Sequence, residues 1–120
     1  MDRTIYDALG ALRASGLQST GSENGDSLDL GILGLVRVVV SVSVVESGAS
    51  IAIKIQGSSD DSTFYDLPGG VFLDPSDGAD IDAVGEYEIY IKSGFRYFRV
   101  VGVVSTDDIT WESYLTKAFK

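Results

Sequence analysis

Cysteine and histidine are both missing from this chain. Without cysteine there is neither a disulfide framework nor a thiolate metal site, so the core must hold by packing alone. Without histidine a nucleophilic serine has no standard base. The sequence also has no Gly-x-Ser-x-Gly elbow and no Gly-rich loop ending in Lys-Ser/Thr that would cradle a phosphate. Positive charge is scarce: nine Lys and Arg stand against 18 Asp and Glu, a formal charge of -9. The basic residues do not cluster in sequence, and such a balance repels nucleic acid and anionic membranes. Nor does the chain open with a basic stretch followed by a continuous apolar run, and its longest apolar runs are too short to span a bilayer. A soluble, unprocessed protein with no cofactor, no membrane partner and no nucleic-acid partner is expected.

What is present is apolar material with a period of two. The 120 residues are 44% hydrophobic, enough for one domain with a genuine core. In "LVRVVVSVSVV" Val36, Val38, Val40, Val42 and Val44 form one face, while Arg37, Ser41 and Ser43 fall on the other with Val39 among them. "SIAIKIQ" repeats the pattern with Ile51, Ile53 and Ile55, and the intervening "ESGA" has hairpin length, which predicts an antiparallel pair. "STFYDL" reads as a short strand stopped by Pro68-Gly69-Gly70, and "VFL" as another. "EYEIYIK", "RYFRVVGVV" and "ITWESYLTKAF" supply three more strands. In the second of these Gly102 either makes room for a large neighbour such as Trp111 or marks a bulge. Short strands separated by Gly, Asp and Ser turns predict an all-β protein, a single antiparallel β-sandwich or jelly roll covering residues 28–120.

Residues 1–27 read differently. Ile5, Leu9 and Leu12 have helical spacing that Gly10 interrupts and Gly16 ends, so at most one short helix is expected. A polar stretch with an Asn24-Gly25 pair follows, and the whole segment reads as an N-terminal arm with a linker.

Sites with chemistry are sparse. Glu86 and Glu88 share a strand face and are the remaining pair for acid-base work on a glycoside, yet like charges on an exposed strand are usually just solvated, so no enzyme is expected. Asp74, Asp77, Asp80 and Asp82 in "DPSDGADID" concentrate the oxygen ligands that calcium takes. Their spacing fails the EF-hand pattern, and a solvated turn-rich loop is the favoured reading. Tyr65, Tyr90, Tyr97, Trp111 and Tyr114 offer rings for a sugar platform, weighed against the commoner role of filling a core or an interface.

Taken together, "SLDLG", the Val-rich strand, "IAIKIQGSSDDSTFYDLP", "YEIYIKSGFRYFRVVGVVS" and "ITWESYLT" resemble the small capsid cement, or decoration, proteins of tailed bacteriophages. The resemblance covers roughly residues 8–117 and implies a jelly-roll-like domain on the outer surface of a capsid. It implies major capsid protein as partner, self-association into a dimer or trimer, and no cofactor. "IQGSSDDSTFYDL" with "RYFRVVG" is also similar to a strand pair of discoidin-type carbohydrate-binding modules, so a sugar-binding module is one alternative and another non-enzymatic virion subunit is a second. Under the cement reading Ile5, Tyr6, Leu9 and Leu12 are the expected capsid contacts, because an arm leaves them no place in the core. Val39, Tyr90, Val101 and Val103, on outer strand faces, are the expected self-association residues.

Overall fold

Alternation decides the architecture: every long strand buries one face, and two such faces must meet. The computed structural model describes residues 8–29, 34–72 and 78–117. Within them are nine strands and no helix: β1 (Ala8–Gln18), β2 (Gly21–Asn24), β3 (Leu28–Asp29), β4 (Gly34–Val45), β5 (Ser50–Ser58), β6 (Tyr65–Phe72), β7 (Gly85–Ser93), β8 (Tyr97–Ser105) and β9 (Ile109–Lys117). One sheet has the order β1-β9-β4-β7, and the other runs β2-β8-β5-β6 with β3 also on β8. Every pairing is antiparallel, and the two sheets form a β-sandwich.

The predicted apolar faces form the core except at Val44, which a register shift after Val42 turns out of the face and leaves 44% exposed. Val36, Val38, Val40 and Val42 of β4 are at most 1% exposed, as are Ile51, Ile53 and Ile55 of β5. Phe98, Val100 and Val104 of β8, Trp111 and Leu115 of β9, and Phe72 of β6 join them in one cluster. Fully burying a side chain of this size contributes about 1.5–3 kcal/mol, so these faces carry most of the driving force.

The antiparallel pair expected of the Val-rich and Ile-rich strands does not form. β4 lies between β9 and β7, whereas β5 lies between β8 and β6. The "ESGA" connection is instead a crossover between sheets, tightened by Ala49 N–H donating to the Glu46 carbonyl and by Gly48 at φ 78°. A hairpin would have laid the two apolar faces side by side, while the crossover sets them face to face and buries both. β6 likewise runs through Pro68-Gly69-Gly70 rather than stopping there. Its register with β5 breaks between Lys54 and Gln56, and an edge strand accommodates a proline at such an irregularity.

The segment read as an arm is a second departure. Residues 8–18 are β1, an edge strand paired along β9 from Ala8 opposite Thr116 to Gln18 opposite Ile109. Three register shifts interrupt it, which is why its apolar residues show no clean period of two. Leu12 is completely buried in the core, so it is not available as a capsid contact. Asn24-Gly25 is a stitch between the sheets rather than a mobile linker. Gly25 N–H donates to Val100 O at 2.7 Å and Asp26 N–H to Leu12 O at 2.9 Å. A β-carbon on Gly25 would fall 2.3 Å from the Leu12 carbonyl oxygen, so glycine alone permits this approach.

Polar side chains hold β1 in place. The Trp111 indole N–H donates to Gln18 Oε1 at 2.9 Å, and Gln18 Nε2 donates to the Gly102 and Gly21 carbonyls at 2.9 and 3.0 Å. Arg13 lies with its guanidinium 4.6 Å from the centroid of the Trp111 ring and donates to Trp111 O, Gly16 O and the Glu23 carboxylate. Of the two roles considered for Gly102, the first is the one observed: a β-carbon there would lie 2.6 Å from Trp111 Cζ2.

Two outcomes are expected from thermal or urea unfolding. Gly102→Ala, which drives a methyl group into Trp111, lowers stability by about 1–3 kcal/mol. Deleting residues 1–16 removes most of β1 together with Leu12 and Arg13. The truncated chain melts well below the full-length one, in contrast to the intact sandwich that an independent arm would leave behind.

Candidate functional site

The outer face of the β2-β8-β5-β6 sheet carries a linked row of polar and aromatic side chains. Alternation points Lys54 and Gln56 of β5 and Arg99 of β8 away from the core, and register sets Gln56 opposite both Arg99 and Asp66. Arg99 Nε donates to Gln56 Oε1 at 2.8 Å, and Gln56 Nε2 donates to Asp66 at 2.8 Å. Lys54 Nζ sits 3.2 Å from the same carboxylate. Hydrogen bonding from Gln56, followed by that from Lys54, holds the Asp66 carboxyl below its usual range. The Arg99 guanidinium lies 4.0 Å from the centroid of the Phe64 ring.

Beside this row the chain after β5 folds into a tight turn. Ser58 Oγ accepts from the N–H groups of Asp60 and Asp61, while the Asp60 carboxylate accepts from Ser62 N–H, Thr63 N–H and the Ser58 hydroxyl. The Thr63 and Ser62 amides, then the Ser58 hydroxyl, pull the Asp60 carboxyl below its ordinary value. Asp61 takes φ 60°, a left-handed conformation that aspartate tolerates better than most residues. The turn, the Gly25 stitch and Arg99 border an open cleft of about 310 Å³ lined by Gly25, Asp26, Ser27, Asp61, Phe64 and Arg99. A guanidinium backed by an aromatic ring, with two carboxylates and a hydroxyl around it, can accept and donate hydrogen bonds to a small polyhydroxylated ligand.

The outer face of the other sheet is different. Glu88 accepts from Arg37 at 2.5 Å, and this bond holds the guanidinium still more firmly protonated. Val39 sits between Glu88 and Tyr114 in register and is 1% exposed. Val101, on the outer face of the opposite sheet between Lys54 and Asn24, is 6% exposed. Neither valine belongs to the core cluster. Both lie on central strands, where longer neighbours on either side cover a short side chain, so neither offers a surface for self-association. Tyr90 and Val103 do remain exposed, at 54% and 40%.

Of the expected capsid contacts, Ile5 and Tyr6 lie outside the described residues, as does the side chain of Leu9, and Leu12 is in the core. In the acidic loop Asp74 and Asp77 lie outside the described residues, while Asp80 and Asp82 are exposed. Among the described residues no group of three or more carboxylates is placed to hold a metal ion. Glu86 and Glu88 border a shallow depression with Val39 and Tyr87. Sequence reasoning overlooked the Arg99–Phe64–Asp61 cleft because its walls come from three separate segments. The signal it offered was the "SSDDSTF" turn followed by an aromatic residue.

No family model and no curated protein matches this chain. Solved structures do. The SPBc2 prophage-derived protein YomS shares the fold with a TM-score of 0.56 and 17% identity, over 89% of this chain and 90% of that one. A domain in a T13 particle of infectious bursal disease virus matches with a TM-score of 0.57 and 10% identity, over 88% of this chain and 29% of that one. The chain thus spans about 30% of the length of such viral proteins. The K1 cleaved adhesin domain of Lys-gingipain from Porphyromonas gingivalis W83 matches with a TM-score of 0.50 and 11% identity, over 94% and 82% of the two chains. These likenesses establish a β-sandwich that a prophage protein, a viral particle protein and an adhesin domain all use.

The Ser-Asp turn has a pH signature. Since the Asp60 carboxyl is depressed, whatever it contributes is present above the unfolded pKa and is lost as pH falls through the folded one. NMR titration should place the Asp60 and Asp66 midpoints below the ordinary 3.8. Amide protection at Ser62 and Thr63 should fall in the same acid window, and Asp60→Asn should reduce it already at neutral pH.

Proposed function

We propose that this chain is a structural, non-enzymatic subunit of a phage virion, a capsid cement or decoration protein. It binds the outer surface of the major capsid shell and stabilises it against internal DNA pressure. The observation that carries this reading is the likeness to a prophage-derived protein over nearly the whole of both chains, supported by the same sandwich within a viral particle protein. Electrostatics supports the outer placement. A domain of charge -9 is repelled by the polyanionic DNA packed inside a shell and meets no such penalty outside it. The partner is major capsid protein, and Ile5 and Tyr6 are the proposed contacts, ahead of the first described strand.

A second reading, a carbohydrate-binding module, is favoured by the cleft at Arg99, Phe64 and Asp61 and by the adhesin-type use of the same fold. Aromatic-backed polar clefts of this size suit a sugar.

Co-sedimentation with purified shells tests the first reading. The full-length chain is expected to pellet with shells and to raise the temperature at which filled particles release DNA. Deletion of residues 1–7, which leaves β1 whole, should weaken binding about tenfold or more, the loss of one or two buried apolar anchors. If the full-length chain stays in the supernatant and Arg99→Ala abolishes glycan binding, the second reading replaces the first.

A further inference from the structure

Three of the four sheet edges are blunted, and one is not. β1 carries three register shifts, β6 holds Pro68 beside an irregular register, and the edge formed by β2 and β3 is short, with four and two residues. Such devices protect edges against pairing with another chain. β7 has none of these three and carries only the charges of Glu86, Glu88 and Lys92, which are of both signs. It runs nine residues in unbroken register with β4, from Gly85 opposite Val42 to Ser93 opposite Gly34. Among the described residues no strand pairs with its other side. Its core-facing positions are Tyr87, Ile89 and Ile91, so no charge points inward to disfavour strand addition. Ile89 packs against the core yet remains half-buried.

We propose that two copies of this chain pair antiparallel through β7, joining two four-stranded sheets into one continuous eight-stranded sheet with a two-fold axis at Ile89. The strand's own sequence selects this register. With the axis at Ile89, Glu86 of each copy faces Lys92 of the other, Glu88 faces Tyr90, and Tyr87 faces Ile91, so that all nine residues pair. Moving the axis to Glu88 sets that carboxylate opposite its own copy, a like-charge pair that destabilises a sheet. A slip of a single residue in one strand places the apolar face of one copy beside the polar face of the other. Glu86 and Lys92 have no ion-pair partner among the described residues, whereas Glu88 is already held by Arg37. Pairing gives both free charges a partner and brings the two half-buried Ile89 side chains together, completing their burial. This surface retains Tyr90 from the expected self-association set and needs neither Val39 nor Val101. The inference rests on the sheet edge alone and holds whatever the dimer binds.

Sedimentation equilibrium on the isolated full-length chain tests it without a capsid. A dimer is expected. Glu86→Lys and Lys92→Glu, both at exposed positions, should each raise the dimer Kd about tenfold, because symmetry converts two attractive pairs into two repulsive ones. The double reversal should restore wild-type affinity. The chain has no cysteine, so an equimolar mixture of Glu88→Cys and Tyr90→Cys proteins should form a mixed disulfide dimer under mild oxidation, in preference to either self-pair. A monomer, a dimer indifferent to both reversals, or cross-links confined to self-pairs would overturn the proposal.

Discussion

The Trp111 indole is the constraint around which the two sheets are arranged. It is the largest fully buried side chain, and it can approach β8 because residue 102 has no side chain. Burying an indole N–H requires an acceptor, which Gln18 provides, and Gln18 in turn uses its amide on the Gly102 and Gly21 carbonyls. One residue of β9 therefore determines where β1 ends, where β2 begins and how closely the sheets approach. Arg13 lies over the ring and extends the same logic to the surface through Glu23. Among the described residues no buried side-chain polar atom is left without a partner, the condition under which such a network adds rigidity.

Much of the sandwich was legible because period-two alternation is a local property. Val36 to Val42, Ile51 to Ile55 and Phe98 to Val104 each declare a buried face within a few residues, and the Gly102 vacancy opposite a large side chain could be anticipated from the same pattern. Pairing is not local. The "ESGA" segment is as compatible with a crossover as with a hairpin, and what decides between them is that two fully apolar strand faces are better buried against each other than beside each other. The N-terminal segment misled for a related reason. Its irregular register with β9 breaks the alternation, and its polar residues Arg13 and Gln18 are buried by partners 98 and 84 positions away.

The surface residues show the same division. Outward-pointing positions could be named from parity, but parity is silent on shielding. Val39 and Val101 point outward and are nevertheless covered, because a central strand has long neighbours on both flanks while an edge strand has them on one. Tyr90, at an edge, stays open. The cleft at Arg99 was invisible for yet another reason, since Gly25, Asp61 and Arg99 converge only once the stitch between the sheets is made.

The pairing of β1 with β9 also orders events in time. Ala8 lies opposite Thr116, so the first described strand finds its sheet partner only in the last. During synthesis Leu12, Arg13 and Gln18 emerge before β8 and β9, and wait for their partners there until those strands have been made. Closing so long a loop is entropically expensive, and folds rich in such distant contacts assemble slowly. Slow closure exposes the unfinished β9 edge, and the glycine-interrupted, bulge-prone sequence of β1 is well suited to that interval: a segment that waits in solution is safer broken by Gly, Arg and Gln than as the unbroken valines of β4.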